Sequence, residues 1–391
     1  MEDVSMSDVY IVGLKRTPIG KYGKALRSFS AIDLGAFAIK GAIEDAGIQK
    51  EKVEEVVMGN VISAGLGQDP GRQAAIMAGI PVESSGSTVN MVCASGMLSI
   101  ANAFRSIKLG ERDIMVAGGM ESMSNSPFIL DSSFRWGDKR LNPSRPVMDA
   151  MINDGLWDFK YHRHMGAIAD EWARKHGITR DMADDFSYES YRRAMDSTKK
   201  GLFKKEMIPI DGLDFDEGIR ETSKEQLSKL EPAFAKEGIL TAGNSSQLSD
   251  GGAAVVLASE DAVKKYNLEK RAKILGVDTT SMDPFDFPYS PVPSSKRLME
   301  KLGLGIKQFD LVEHNEAFSI ASLAVMQGLN AEWDRFNVRG GAVAMGHPLG
   351  ASGARITITL LRALEDMSLH KGLATICHGG GGAYSIAIEV L

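Results

Sequence analysis

Only two cysteines, Cys93 and Cys377, occur in 391 residues, so at most one bridge can form and a disulfide framework is excluded. No run of about 18 uncharged apolar residues is present, which leaves no candidate membrane span. Positive charge is not in excess: 45 basic against 51 acidic side chains give a formal net charge of −6, unlike the basic footprint of a dedicated nucleic-acid binder. A local basic patch for an anionic small ligand is compatible with that balance. Met1-Glu2-Asp3 is acidic where a signal or transit peptide is basic, so a cytoplasmic location is expected. CxxC and HExxH patterns are missing and no ligand-type pair shares a helix face, so no metal site is expected. With 43% apolar and 25% charged residues, what remains is an ordinary globular chain long enough for two or three domains.

Short β-rich runs (9–12, 56–58, 114–117) alternate with longer amphipathic ones (30–46, 94–107), an α/β order. Ser30 and Asp33 stand at capping-box spacing and Gly47 closes the same segment. The later chain repeats this order at a nearly constant distance. Gly47-Ile48 matches Gly303-Leu304, Asn60 matches Asn315, Ala94-Ser95-Gly96 matches Ala351-Ser352-Gly353, and Gly118-Gly119, at an expected strand end, matches Gly379-Gly380. Four matches in one order point to two copies of an α/β unit packed about a pseudo-twofold axis. Between them, from about Ser124 to Gln247, a stretch of clustered charge and loop-like pieces reads as an insertion. Its Lys199, Lys200, Lys204, Lys205, Arg220 and Lys224 are the best place for a polyanion, with solvated helix faces as the alternative.

Cys93 lies in Asn90-Met91-Val92-Cys93-Ala94-Ser95-Gly96-Met97, directly before an amphipathic run. That puts it at a helix N-terminus, where unpaired N–H groups and the helix dipole are expected to lower a thiol pKa. A buried, inert cysteine is the plain alternative. At the equivalent place in the second copy stands Gly346-His347-Pro348-Leu349-Gly350-Ala351-Ser352-Gly353. Paired copies bring equivalent helix starts towards a shared axis, so His347 should approach Cys93 and activate it as a nucleophile. Cys377 follows an apolar run, and the four glycines 379–382 can offer N–H donors to a developing oxyanion. A phosphate cradle is the weaker reading because no P-loop Lys-Ser/Thr follows. A second thiol there suits a base. Asn315, in His314-Asn315-Glu316-Ala317-Phe318, can hold a water or donate to an enolate oxygen.

With these residues the chain resembles the thiolases, in particular the acetyl-CoA acetyltransferases, over nearly its whole length. Further landmarks are Arg16-Thr17-Pro18-Ile19-Gly20, Gly67-Gln68-Asp69-Pro70-Gly71-Arg72-Gln73-Ala74, Gly118-Gly119-Met120-Glu121-Ser122-Met123-Ser124 and Thr241-Ala242-Gly243-Asn244-Ser245-Ser246. The resemblance implies an α/β thiolase-like fold: two similar halves in a layered αβαβα arrangement with an inserted loop domain, divided as 1–123 plus 248–270, 124–247 and 271–391. It implies the reversible Claisen condensation of two acetyl-CoA to acetoacetyl-CoA and CoA. Cys93 would carry the acyl group with His347 as its base, and Cys377 would take the α-proton. His347 and a water on Asn315 would hold the enolate, and the N–H groups of Cys93 and Gly379 the thioester oxygen. Ser246 would lie against pantetheine and Arg220 beside adenine. His164 and Met165 would line the acyl and pantetheine tunnel, walled by Leu156, Ala317 and Phe318. CoA arrives with the substrate, so no separate cofactor is implied; a homodimer or dimer of dimers is, with 134–149 as a candidate assembly loop.

The chain departs from the family pattern at His314, where a small apolar residue is more usual, and at His378, where isoleucine or asparagine is. Both are expected to point away and pack; the alternative is that one perturbs the pKa of Cys377. Asp286-Phe287-Pro288 is similar to the Asp-Phe-Pro stretch of mitochondrial short-chain thiolases that accept 2-methylacetoacetyl-CoA, so Phe287 is expected to shape a pocket tolerating that branch. Gly218 replaces the tyrosine that accompanies potassium use in those enzymes, and no potassium requirement is expected. The rival readings are a longer-chain 3-ketoacyl-CoA thiolase of fatty-acid degradation and a non-catalytic CoA-binding or assembly protein.

Overall fold

The structure, a computed structural model, describes residues 7–136 and 147–391. The principal strands are β1 (Val9–Arg16), β2 (Glu55–Gly59), β3 (Ser85–Val89), β4 (Ile114–Ser122), β5 (Ser249–Ser259), β6 (Ala272–Ser281), β7 (Leu311–His314), β8 (Lys371–His378) and β9 (Gly382–Val390). The principal helices are α1 (Ala31–Ala46), α2 (Pro70–Met77), α3 (Ser95–Lys108), α4 (Met165–Lys175), α5 (Arg180–Lys199), α6 (Pro291–Leu302), α7 (Ser319–Leu329) and α8 (Ser352–Asp366). No helix among the described residues is long and apolar enough to cross a membrane.

Local chemistry sets the helix ends as its residues require. Ser30 and Asp33 form the capping box of α1, and Gly47 closes it in the left-handed conformation. Gly303, its sequence partner, does the same for α6. The strands run β7-β8-β9-β6-β1-β5-β4-β2-β3. Within this order β1, β5, β4 and β2 correspond to β6, β9, β8 and β7. The halves join through a short antiparallel ladder, Tyr10 opposite Lys273 and Ile11 opposite Ala272.

Alternation along the strands builds the layers, because successive side chains leave opposite faces. Tyr10, Val12, Val56, Met58, Val116 and Val256 pack outward under α1 and α2. Ile11, Leu14, Val57, Met115, Val255 and Leu257 point inward, where with Ile376, Ile386 and Ile388 they enclose α3 and α8. On the far side, Leu373, Cys377 and Ala387 meet α6 and α7. The result is the αβαβα order of the thiolase-like fold. The segment between β4 and β5 carries α4 and α5, so it is more helical than its loop-like composition suggested. One repeat match needs correction: Gly118-Gly119 lies inside β4, which runs on to Ser122, whereas Gly379-Gly380 follows the end of β8.

The paired helix starts meet backbone to backbone. A Cβ on Gly96 would stand 2.8 Å from the Gly350 carbonyl oxygen, and one on Gly353 2.4 Å from the Met97 amide nitrogen. Glycine at both places lets α3 and α8 cross closely enough for the preceding turns to share one cavity. Gly353→Ala is expected to cost roughly 1 to 3 kcal/mol, the usual range for overpacking, read as a lower Tm.

Candidate active site

Cys93 is delivered by a strained turn. Val92 has φ of +47°, an unfavourable conformation for a β-branched residue. Its neighbours hold it there: Asn90 Oδ1 accepts from the Val92 amide at 2.9 Å, Ser95 Oγ accepts from the Met91 amide at 2.8 Å, and the same hydroxyl donates to the Val92 carbonyl at 2.6 Å. The turn precedes Ala94, the N-cap of α3. No single residue type in the sequence signals this strain; it depends on a four-residue network.

His347 is positioned from both sides. Its Nδ1 lies 2.6 Å from Ser352 Oγ, and that hydroxyl donates its hydrogen to the Pro348 carbonyl at 2.9 Å. Ser352 therefore accepts from Nδ1–H, which assigns the lone pair to Nε2. Asn315 Nδ2 stands 3.3 Å from Nε2, and Arg355 donates to Asn315 Oδ1 at 3.3 Å, which orients the amide. Burial first, and the Arg355 charge second, push the His347 pKa down to about 3, so the ring is neutral and Nε2 is an acceptor that faces the Asn315 amide.

Two buried glutamates hold the turn that carries His347. Glu121 accepts from the Gly350 amide at 2.9 Å, from the Val61 and Ile62 amides at 3.1 and 3.2 Å, and from Asn60 Nδ2 at 2.9 Å. Glu316 accepts from the Val343 amide at 3.1 Å, from Ser190 Oγ at 2.7 Å and from Asn337 Nδ2 at 2.9 Å. Burial raises both carboxyls, that of Glu121 to about 7. Their part in the site was not read from the sequence, where each is simply one acidic residue inside a motif.

The two sulfurs share one cavity of about 400 Å³ of empty space, lined also by His347, Gly379, Ser246, Met165, Leu156, Phe287, Ala317 and Phe318. Gly155, Leu349 and His378 complete its wall. Gly379 borders the Cys93 sulfur in this cavity, and the backbone N–H groups of Gly379 and of Cys93 itself act to lower the thiol pKa. Cys377 is the penultimate residue of β8 and is buried.

The thiol chemistry differs from the expectation drawn from the helix N-terminus. Burial outweighs the two N–H groups and pushes the Cys93 pKa up to about 12, with the Glu121 charge adding to the rise. Burial, with Cys93 nearby, raises Cys377 as well. Both sulfurs rest as thiols, so each needs a proton acceptor at the moment it reacts. Alkylation of free Cys93 is expected to quicken about tenfold per pH unit through the neutral range, because thiolate is the reacting form. Rates measured by mass spectrometry should show no plateau; a plateau near neutrality would contradict the burial argument.

Three expected site residues lie outside the cavity lining. Asn315 adjoins the cavity through His347, its Nδ2 3.3 Å from Nε2. His164 caps α4, its Nδ1 accepting from the Gly166 amide at 3.0 Å, and stacks on Phe234 at 5.0 Å. Phe234 in turn packs edge-on against Phe318 at 6.0 Å, so His164 reaches the cavity only through two rings. Arg220 sits over the Tyr191 ring at 4.7 Å in a separate groove with Tyr188, Arg192, Lys199 and Thr222. Of the basic cluster, Lys199, Lys205 and Lys224 are already paired, with Glu221, Asp366 and Asp185.

The two unusual histidines part company. His314 is buried, with Nδ1 2.9 Å from Ser322 Oγ and its ring stacked on Phe336 at 6.1 Å, so it packs. His378 does not point away: it lines the cavity, its Nδ1 2.7 Å from the Gly379 carbonyl. Burial lowers its pKa, which leaves a neutral ring beside Cys377. Among the described residues, no group of three or more His, Cys, Asp or Glu side chains is arranged to hold a metal. The candidate assembly loop falls largely on 137–146, outside the described residues.

A layered α/β fold whose two halves meet over a cavity holding one thiol from each half defines the thiolase-like class of proteins. Family comparison agrees, matching a thiolase N-terminal domain over residues 9–261 and a thiolase C-terminal domain over residues 268–390. The chain belongs to the thiolase family. It is 45% identical to an acetyl-CoA acetyltransferase of Synechocystis sp., across 98% of this chain and 100% of that protein. It is 42% identical to one from Cupriavidus necator, with the same coverage. Among solved structures it superposes on the Acat5 thiolase of Ascaris suum in complex with coenzyme A, with TM-score 0.93, 41% identity and coverage of 98% and 100% of the two chains. The Bacillus anthracis acetyl-CoA acetyltransferase gives TM-score 0.95 at 34% identity, with 100% of both chains covered.

Proposed function

We propose that this protein is an acetyl-CoA C-acetyltransferase, an acyltransferase that condenses two acetyl-CoA to acetoacetyl-CoA and CoA, or cleaves acetoacetyl-CoA with CoA in reverse. The observation that carries the reading is the shared cavity, which brings Cys93, Cys377, His347 and Gly379 together. Cys93 attacks the thioester carbonyl while His347 Nε2 takes the thiol proton. The tetrahedral oxyanion is held by the Cys93 and Gly379 amides, each donor of this kind being worth about 2.7 to 4 kcal/mol. Collapse breaks the C–S bond to CoA, and His347 returns the proton to the departing thiolate. Cys377 passes its thiol proton to His347 Nε2 and, as thiolate, removes the α-proton of a second acetyl-CoA, and the enolate oxygen is held by the protonated His347 Nε2–H and a water on Asn315. The enolate carbon attacks the acetyl-Cys93 carbonyl, expulsion of the Cys93 thiolate yields acetoacetyl-CoA, and His347 returns its proton to that thiolate.

Ser246, Met165, Leu156, Ala317 and Phe318 border the acyl and pantetheine path, with Arg220 and the 124–247 insertion serving the nucleotide end of CoA. His164 supports that wall through Phe234. We infer a cytoplasmic homodimer or dimer of dimers, acting in short-chain fatty-acid metabolism without a separate cofactor. Mass spectrometry of enzyme quenched during turnover of acetoacetyl-CoA and CoA should find an acetyl group on Cys93; an unmodified Cys93 peptide under rapid turnover would overturn the reading. Phe287 borders the same cavity, so kcat/KM for 2-methylacetoacetyl-CoA is expected to fall within roughly 10- to 200-fold of that for acetoacetyl-CoA, one methyl in an apolar pocket being worth roughly 1 to 3 kcal/mol. Steady-state comparison of the two substrates checks this, and strong rejection of the branched one sinks it.

A further inference from the structure

One end of the cavity is closed by two pieces of chain that touch each other through polar contacts the reaction does not use. The first is a small hairpin in the insertion, with Trp157 paired to His164 and Asp158 to Arg163. Leu156 immediately precedes it and Met165 immediately follows, and both line the cavity. Asp158 Oδ1 shapes its tip by accepting from the Lys160 and Tyr161 amides at 3.0 and 2.7 Å. The second piece is the segment 283–288, which places Phe287 in the same cavity, its ring 6.2 Å from that of Phe318.

The two pieces are joined at two points. At the hairpin tip, Tyr161 Oη donates to Asp283 Oδ1 at 2.7 Å and Lys160 Nζ pairs with Asp283 Oδ2. About two turns along α4, the helix that continues from the hairpin, Trp172 Nε1 donates to Asp286 Oδ1 at 3.1 Å. Between them Phe285 meets the Tyr161 ring edge-on at 6.0 Å. Asp283, Phe285 and Asp286 thus all face the insertion, and Phe287 alone of this run borders the acyl space. Lys160 and Tyr161 hold the Asp283 carboxyl down to about 2, so the tip contact stays ionic at every working pH.

We propose that Asp283 and Asp286 are specificity-determining residues for acyl length, fastening the Trp157–His164 hairpin to the segment that carries Phe287 and so closing the acyl end of the cavity. This rests on the acyl-CoA reading above. With both fastenings in place, Leu156, Met165 and Phe287 stay close and an added methylene has nowhere to go. With them released, hairpin and segment separate without loss of Cys93, His347 or Cys377, so a longer acyl chain gains room while the chemistry remains.

The test is the double variant Asp283→Ala/Asp286→Asn, with Asp283→Ala alone as a second variant, because its contact is at the surface and folding is not at stake. Thiolysis of 3-ketohexanoyl-CoA and of acetoacetyl-CoA is compared with the wild type. The ratio of kcat/KM for the longer to the shorter substrate is expected to rise about tenfold in the double variant and by a smaller factor in the single one. Backbone hydrogen exchange in 157–164 is expected to quicken in both, a readout independent of turnover. An unchanged ratio, or equal losses on both substrates, would overturn the assignment, as would unchanged exchange. A wild-type enzyme inert towards acetoacetyl-CoA would instead remove the acyl-CoA reading, while accelerated exchange in the variants would still report the fastening.

Discussion

Cys93→Ala is expected to lose turnover in both directions by about 10⁵- to 10⁶-fold, the scale on which removal of a covalent nucleophile is felt when the rest of its site survives. The substitution removes only the sulfur, and the elbow is held by Asn90 and Ser95, so the fold should be retained. Labelled CoA should no longer exchange into acetyl-CoA, and no acetyl adduct should form. Retention of exchange in a folded variant would mean that the acyl group is carried elsewhere. Because burial keeps this thiol protonated, its reactivity is expected to depend on His347 Nε2, which the Ser352 contact leaves as an acceptor.

For Cys377→Ala the expected result is a separation of the two half-reactions. Condensation and thiolysis, which need a proton moved at the α-carbon, should fall by up to about 10⁴-fold, the upper range for loss of a positioned general base. Acetyl transfer between acetyl-CoA and labelled CoA passes only through Cys93 and should stay within about tenfold of the wild type. Isotope exchange measured beside the condensation rate distinguishes them. Equal loss of both would show that Cys377 supports the cavity rather than moving the proton. The neutral His378 ring beside it contributes no charge to its titration in the neutral range, since burial keeps that imidazole below its usual pKa.

Much of the architecture was legible because its signals are local or repeated. The capping box at Ser30 and Asp33, the left-handed glycines that end α1 and α6, and the paired Ala-Ser-Gly helix starts each report a backbone requirement that few residues satisfy. Glycine also misled: Gly118-Gly119 looks like a strand end, yet both lie inside β4, where a Cβ on Gly118 would stand 2.1 Å from the Ala253 carbonyl oxygen of β5 and one on Gly119 1.9 Å from the Gly350 carbonyl oxygen. Membership of the cavity was legible for ten of its residues, since motif and family resemblance already grouped them. Of the residues expected at the ligand, His164 lies beyond the cavity lining as a helix cap stacked on Phe234, and Arg220 lies over Tyr191 in a separate groove.

The sequence by itself determined that this is a two-copy α/β protein with a thiol ahead of one buried helix, a histidine ahead of its counterpart and a second thiol before a glycine run. Those features are carried by residue type and order, and they survive whatever the chain later packs against. Only the tertiary structure decided the protonation of the two thiols and His347, the strain at Val92, the glutamate anchors of the His347 turn and the fastening of the hairpin to the Phe287 segment. Each of these arises from desolvation or from contacts between residues far apart along the chain. Burial reversed the local effect of the helix end on Cys93, because removing a charge from water costs more than two backbone N–H groups return.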